Sequence, residues 1–161
     1  MHGLLDALTR LPAELAAFIV SALPIFELRG GIPLAASLGM SWQKAYLICV
    51  AGNLLPVVPI LYFLEPITTF LRRWRPMDRL IEWLFARTRR RSRIVERYEA
   101  LGLILFVAIP LPVTGAWTGT LAAFLFGVRR RYAIPAIACG VLIAGGVVTL
   151  VVQGVLHLWS L

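Results

Sequence analysis

The chain has 161 residues, 60% of them hydrophobic, and a mean hydropathy of +0.83; this excludes an ordinary water-soluble domain, whose core needs far less apolar material. At roughly 20 residues per crossing, the length supplies about four to six membrane-inserted segments in one compact membrane domain. The net charge of +8 does not indicate nucleic acid, because Arg72 to Arg97 hold ten arginines against Asp78, Glu82 and Glu96, which gives that stretch +7: a basic loop between apolar segments is a cytoplasmic topology determinant, and it also suits anionic lipid.

The first twenty residues lack the basic region, sustained apolar core and small-residue cleavage site of a secretory signal, and Asp6 and Glu14 interrupt them, so the N-terminus is expected to be retained. Residues 11–23 are apolar and helical in character, until Pro24 and the cluster Gly30, Gly31, Pro33 break the run. A helix over 11–23 reaches only about 20 Å, short of a hydrocarbon core about 30 Å thick. The descent must stop partway, and residues 32–38 are apolar again before Gly39, Ser41 and Trp42 mark a return to the interface. This predicts a re-entrant hairpin over residues 11–40, whose non-helical tip is tolerated where protein or a wet cavity satisfies its backbone.

Residues 42–64 are expected to span the bilayer as a helix bent by Gly52, Pro56 and Pro59, ending at Glu65 and Pro66. A connector over 66–98 follows. Met77, Leu80, Ile81 and Leu84, then Ile94, Val95 and Tyr98, recur at helical spacing among arginines, the pattern of amphipathic helices on a membrane surface. Trp74 and Trp83 suit the headgroup level.

The second half repeats the first: a hairpin over 99–127 with the tip PLPVTGAWTG, then a spanning helix over 132–156. An offset of 88 aligns Pro24 with Pro112, Gly31 with Gly119, Ala35 with Ala123, Gly39 with Gly127 and Gly52 with Gly140. These are mostly residues that control backbone shape. With the basic stretch and Arg129, Arg130 and Arg131 in the cytoplasm, the second hairpin enters from that side, the first from outside, and both termini lie outside. The predicted fold is an all-α integral membrane protein of two inverted repeats, 11–64 and 99–156, each a hairpin followed by a spanning helix. Such repeats bring broken segments toward a site near the midplane.

Glu27 and Arg29 are the ionisable residues of the first tip, and charges at membrane depth are functional candidates by default. Too close for i,i+4 pairing on a helix, they are free on a broken tip to point at different partners. A carboxyl in a low-dielectric pocket has its charged form disfavoured, so Glu27 is the candidate proton carrier. Arg29 offers a planar fork suited to phosphate or carboxylate. The competing reading is an internal ion pair that fixes the hairpin. The second tip has no ionisable residue between Pro110 and Thr120; Thr114, Trp117 and Thr118 are its candidates for polar substrate, with Asn53 as a further internal ligand or a helix-bonding group. Pro24, Gly30, Gly31, Pro33, Pro110, Pro112, Gly115 and Gly119 are the candidate tip-shaping residues. Cys49 and Cys139 lie in apolar segments and are read as buried small side chains; His2 and His157 lie at opposite ends. No metal set, cofactor motif or catalytic constellation emerges, so no metal, cofactor or enzymatic activity is expected.

The motifs PIFELRGGIPLA and AIPLPVTGAWTG together resemble the small multidrug export protein family, over about residues 12–156. That family in turn resembles the DedA, or VTT (SNARE-associated), membrane-protein superfamily in its paired re-entrant hairpins. The resemblance singles out Glu27, Arg29, Gly30, Gly31 and Pro33 in the first tip, and Pro110, Pro112, Thr114, Gly115, Trp117 and Gly119 in the second. It implies a small secondary transporter or lipid translocase of the bacterial cytoplasmic membrane, coupled to protons, with membrane lipids and an anionic amphiphile such as a polyprenyl phosphate or phospholipid as partners. Export of small amphiphilic drugs is the alternative substrate class. A non-transporting scaffold that binds anionic lipid or a partner through Arg89, Arg90 and Arg91 is the alternative from another functional class. The chain is small for a self-contained pathway, which leaves room for a homodimer.

Overall fold

The computed structural model describes residues 11–71, 73, 78, 79, 82, 99–110 and 114–159. Regular structure among them is α-helical throughout: α1 (Ala13–Ala22), α2 (Glu27–Ser37), α3 (Trp42–Leu54), α4 (Val57–Leu71), α5 (Glu99–Ala108), α6 (Ala116–Leu125) and α7 (Arg130–Trp159). Most of the basic connector expected over 66–98, with Trp74 and Trp83, lies outside the described residues, as does Pro112 of the second tip. Two stretches, Trp42–Thr68 and Arg130–Leu158, are long and apolar enough to cross a membrane.

The chain falls into two compact units, residues 1–55 with 141–161 and residues 56–140. The first contains α1, α2, α3 and the second half of α7; the second contains α4, α5, α6 and the first half of α7. In the first, the short helices α1 and α2 form a hairpin and α3 packs on both. Helix α1 stops because Pro24 sterically disfavours helical dihedrals at Leu23, which is extended at φ −77°, ψ 138°. Its buried stripe of Ala16, Ala17, Val20 and Ser21 is built of small residues, so the neighbouring backbones come close. A methyl group on Gly52 of α3 would sit 2.4 Å from the Phe18 carbonyl oxygen of α1. One on Gly31 of α2 would sit 1.8 Å from Ser21 Oγ and 3.2 Å from Cys49 Sγ, so α1, α2 and α3 meet at residue 31.

The second unit repeats this junction within itself. A methyl on Gly119 of α6 would lie 2.4 Å from Val107 Cγ2 of α5 and 3.9 Å from Ile137 Cγ1 of α7, and one on Gly140 would lie 2.6 Å from Val107 Cβ. Gly31 with Cys49 and Gly119 with Ile137 are equivalent at the offset of 88. The ends of α2 and α6 agree in detail. Gly39 donates its N–H to Ala36 and Met40 to Ala35, at 3.0 and 3.1 Å, while Gly127 donates to Phe124 and Val128 to Ala123, at 3.1 and 2.9 Å. Both are Schellman caps, with φ +77° at Gly39 and +70° at Gly127.

Several element boundaries differ from those expected. Gly30, Gly31 and Pro33 do not break the chain: all three lie inside α2, and the break is at residues 23–26. The glycines serve close packing, and Pro33 sits on the exposed face, where the carbonyl it leaves without an i+4 donor costs least. The helix expected over 42–64 is interrupted at Leu55 and Pro56, and α4 then passes Pro66 to reach Leu71. Proline removes one hydrogen bond and kinks a helix without necessarily ending it, and Ile67 and Phe70 continue the apolar run. Helix α7 likewise contains Pro135 and begins and ends outside 132–156. Cys49 is buried as expected, but Cys139 is exposed on α7.

At the start of α1, Lys44 Nζ donates to Glu14 Oε1 at 2.5 Å. That hydrogen bond, assisted by a backbone one and by the Lys44 charge, holds the Glu14 carboxyl below its usual range. A depressed carboxylate contributes stability that is present at neutral pH and lost as pH falls through its folded value. Solvent screening keeps the contribution small. Lys44→Ala should therefore lower stability slightly at neutral pH, and its difference from the wild type should vanish as pH falls through the Glu14 midpoint.

The glycine contacts predict a graded series in thermal melts of the purified protein. Gly31→Ala should cost about 1–3 kcal/mol through overpacking, with partial rescue by Ser21→Gly. Gly39→Ala and Gly127→Ala should each cost about 1 kcal/mol, because their φ values are left-handed. Gly146→Ala, which meets nothing within 4 Å, should be neutral or stabilising.

Candidate functional site

The first residue of α2 is Glu27, and its backbone is unusual. Among the described residues it is the non-glycine residue with a positive φ, +48°, a left-handed conformation that costs an L-residue roughly 1–2 kcal/mol. Its side chain is buried, with the residue 6% exposed. Strain of this kind persists where the surrounding structure over-determines it and clusters at functional sites. The Glu27 N–H donates to the Leu23 carbonyl at 3.0 Å, which closes the turn between α1 and α2.

Arg29 Nη2 lies 3.8 Å from Glu27 Oε2, and the arginine side chain is about one third exposed. The two groups therefore face each other, whereas the sequence left them free to seek different partners. The turn at Glu27 is what permits a contact that regular helix spacing disfavours. At 3.8 Å the pair is an ion contact beyond hydrogen-bond length.

Asn53 belongs to the same unit. The Gly31–Cys49 contact fixes the antiparallel register of α2 and α3, which a short turn connects. Ala35 and Ala45 lie one helical turn from that contact toward the connection, Glu27 and Asn53 one turn the other way along their helices, and all four are buried. Asn53 is 1% exposed, and its Oδ1 is buried without a hydrogen-bond partner. The buried hydroxyls behave differently: Ser21, Thr120 and Thr149 each donate to the carbonyl four residues earlier, at 2.8, 2.6 and 2.7 Å. An unpaired buried carbonyl is costly, so the Asn53 position is a second departure from stability in the unit.

The second tip is built from other materials. Thr114 Oγ1 donates to the Ile109 carbonyl at 2.6 Å, and Thr118 Oγ1 lies 3.4 Å from the Gly115 carbonyl. Both hydroxyl protons are turned onto the chain around the tip. Gly115 is the N-cap of α6, with extended dihedrals, and Trp117 is half-buried. Pro24 is exposed and Pro110 half-buried beside their turns, while Gly119 lies in the α5–α6–α7 junction. The structure thus gathers Glu27, Arg29 and Asn53 into one unit and places Thr114, Trp117 and Thr118 in the other.

Sequence reasoning missed Ser21, Thr149 and Gln153. Ser21 is fully buried against Gly31. Thr149 and Gln153 line a cavity of about 130 Å³ together with Ile32, Ala36, Trp42 and Leu156. Their signal was present, since they are polar residues one turn apart in an otherwise apolar helix.

No curated protein and no solved structure matches the chain. The pattern of a family described as small multi-drug export proteins matches residues 27–147, which include Glu27, Arg29, Asn53 and the whole second tip. With that match over most of its length and two stretches apolar enough to cross a bilayer, the chain is an integral membrane protein and belongs to the small multi-drug export protein family.

Proposed function

We propose that the protein is a small secondary transporter that moves amphiphilic molecules bearing an anionic group across the membrane and draws on protonation of Glu27 to do so. The observation that carries this reading is the buried Glu27 on a left-handed backbone, in loose ion contact with Arg29 at the break between two short helices. Buried charge at such a break is expensive, and neither the turn nor the packing of α1 on α2 chemically requires it. The family description supports export of small compounds. The guanidinium supports an anionic head on the substrate, whether that head belongs to a drug or to a lipid phosphate.

Helices α1 and α2, of 10 and 11 residues, are each too short to cross a core about 30 Å thick, which supports a re-entrant hairpin over 11–40. The matching caps at Gly39 and Gly127 support a duplicated origin for the hairpin over 99–127. The arginines between Arg72 and Arg97 and those at 129–131 support a cytoplasmic opening for the second hairpin and an external one for the first. Arg29 is the proposed substrate contact, and Thr114, Trp117 and Thr118 the proposed lining of the second tip.

In liposomes carrying the purified protein, uptake of an anionic amphiphilic dye should follow an imposed pH gradient. Glu27→Gln and Arg29→Ala should each lower it by at least about tenfold, the equivalent of losing one interaction of ~1.4 kcal/mol. A parallel arm with a polyprenyl phosphate in the vesicles separates a lipid substrate from a soluble one. Folded variants that keep full flux in both arms would remove the mechanism. Glu27→Gly should abolish flux while leaving the melting temperature unchanged or raised, because glycine accepts φ +48° without strain. A melting temperature lowered by several degrees with flux intact would make Glu27 a purely structural residue.

A further inference from the structure

We propose that the cavity between α2, α3 and the second half of α7 is a binding site for small uncharged amphiphiles, with the Gln153 amide as the hydrogen-bonding partner of their one polar group. All three elements belong to the first unit. The inference goes beyond the transport reading and does not depend on Glu27 or Arg29. The cavity measures about 130 Å³. An apolar cavity of about 150 Å³ accommodates benzene, so this one suits a single ring or a branched aliphatic group of similar size. It is far too small for a whole lipid.

Small side chains make the space. Ala36 of α2 and Ala45 of α3 line it where longer residues would fill the gap toward α7. The floor is closed and the rim is open: Ile32 and Ala45 are each 2% exposed, whereas Trp42 and Leu156 are 56% and 53% exposed. Protein interiors are close-packed, and a void costs more stability as its volume grows, so a space of this size is a liability that a ligand relieves. Trp42 suits the headgroup level, and the exposed Lys44–Glu14 pair begins two residues further along α3. The rim therefore opens at the interface, the level preferred by molecules with an apolar body and one polar tip.

The lining decides the charge of the ligand. Among the described residues that line the cavity none is ionisable, so a charged group would be buried there without a partner, at a cost that apolar contact does not offset. The polar groups present are neutral. Thr149, 7% exposed, gives its proton to the Gly145 carbonyl at 2.7 Å and keeps acceptor capacity. Gln153 is half-buried one turn further along α7 and bonds through its amide to no described residue. That amide holds two donors and an acceptor, so a ligand hydroxyl can both donate to it and accept from it. A polar side chain within an apolar helix is costly, and leucine at 153 would continue the run.

The test is fluorine NMR of the full-length protein in lipid nanodiscs, against matched empty nanodiscs, with probes of similar size. These are para-fluorophenol, para-fluorotoluene, in which a methyl replaces the hydroxyl, and para-fluorobenzoate, an anion at neutral pH. The wild type should bind the phenol saturably, above the partitioning seen in empty nanodiscs. Ala36→Leu, which fills the cavity, should lower phenol affinity by at least about tenfold while the melting temperature stays unchanged or rises, as cavity filling commonly does. Gln153→Leu should lower phenol affinity by about tenfold, the equivalent of one hydrogen bond, and change para-fluorotoluene affinity by less than about twofold. Para-fluorobenzoate should show no binding that Ala36→Leu removes.

Phenol binding that is equal in wild type and Ala36→Leu, the result expected if lipid chains fill the cavity, overturns the proposal. An equal loss of phenol and toluene binding in Gln153→Leu overturns it as well, and so does benzoate binding that Ala36→Leu removes. Should Ala36→Leu fail to fold, Val152→Phe fills the same space from α7 and is read in the same way. Glu27 and Arg29 are intact in every one of these variants, and no readout needs transport. Absent flux with phenol binding as described would therefore sink only the transporter reading, and proton-driven flux without that binding only the cavity site.

Discussion

Helix α2 can lie against both α1 and α3 only because residue 31 has no side chain. The space a Cβ would need is already occupied by Ser21 Oγ, at 1.8 Å, and Ser21 is itself fixed by its bond to the Ala17 carbonyl. Protein interiors accept little overpacking, so this contact sets both the depth and the register of the α2–α3 pair. One turn along each helix from the junction lie Ala35 and Ala45, and one turn the other way Glu27 and Asn53, all buried.

The second unit keeps the frame and drops the chemistry. Gly119, Ile137 and Gly140 hold the places of Gly31, Cys49 and Gly52, and the Schellman caps at Gly39 and Gly127 agree bond for bond. The sequence positions equivalent to Glu27 and Asn53 are Gly115 and Val141. A glycine stands where Glu27 bears a left-handed φ, so the carboxyl occupies a backbone position for which glycine is the easier residue. Matching glycines and caps thus accompany unmatched polar residues at these positions.

How much of this was legible in the sequence depended on what each glycine and proline was for. The stopping effect of Pro24 could be read, because a residue before proline acts locally. Gly30, Gly31 and Pro33 were misread as a break. A glycine used for close approach has the same local signature as one used for a turn, and the difference lies in Ser21 and Cys49, distant along the chain. Pro66 and Pro135 mislead for a related reason: a proline on a long apolar helix can be absorbed as a kink. Asn53 was visible as a polar residue in an apolar run, but its lack of a donor is a property of packing. The Glu27–Arg29 contact was one of two readings the sequence left open, since spacing by two gives no contact on a regular helix; the structure places the groups 3.8 Å apart at a residue of positive φ.

A transport cycle needs two states close in free energy, since a ligand can shift an equilibrium only by its differential affinity for them. The first unit has features that narrow such a gap. The Arg29 contact at 3.8 Å lacks the short, bidentate geometry of a strong arginine–carboxylate bond, so opening it forfeits less than a tight pair would. The backbone strain at Glu27 and the unpaired oxygen of Asn53 raise the energy of this arrangement further. Substituting either for stability alone would be simple: glycine at 27, as at 115, or an aliphatic residue at 53, as at 141. A carboxyl that is buried on a strained backbone is a poor structural element, which is why the proposed transport role is placed on Glu27.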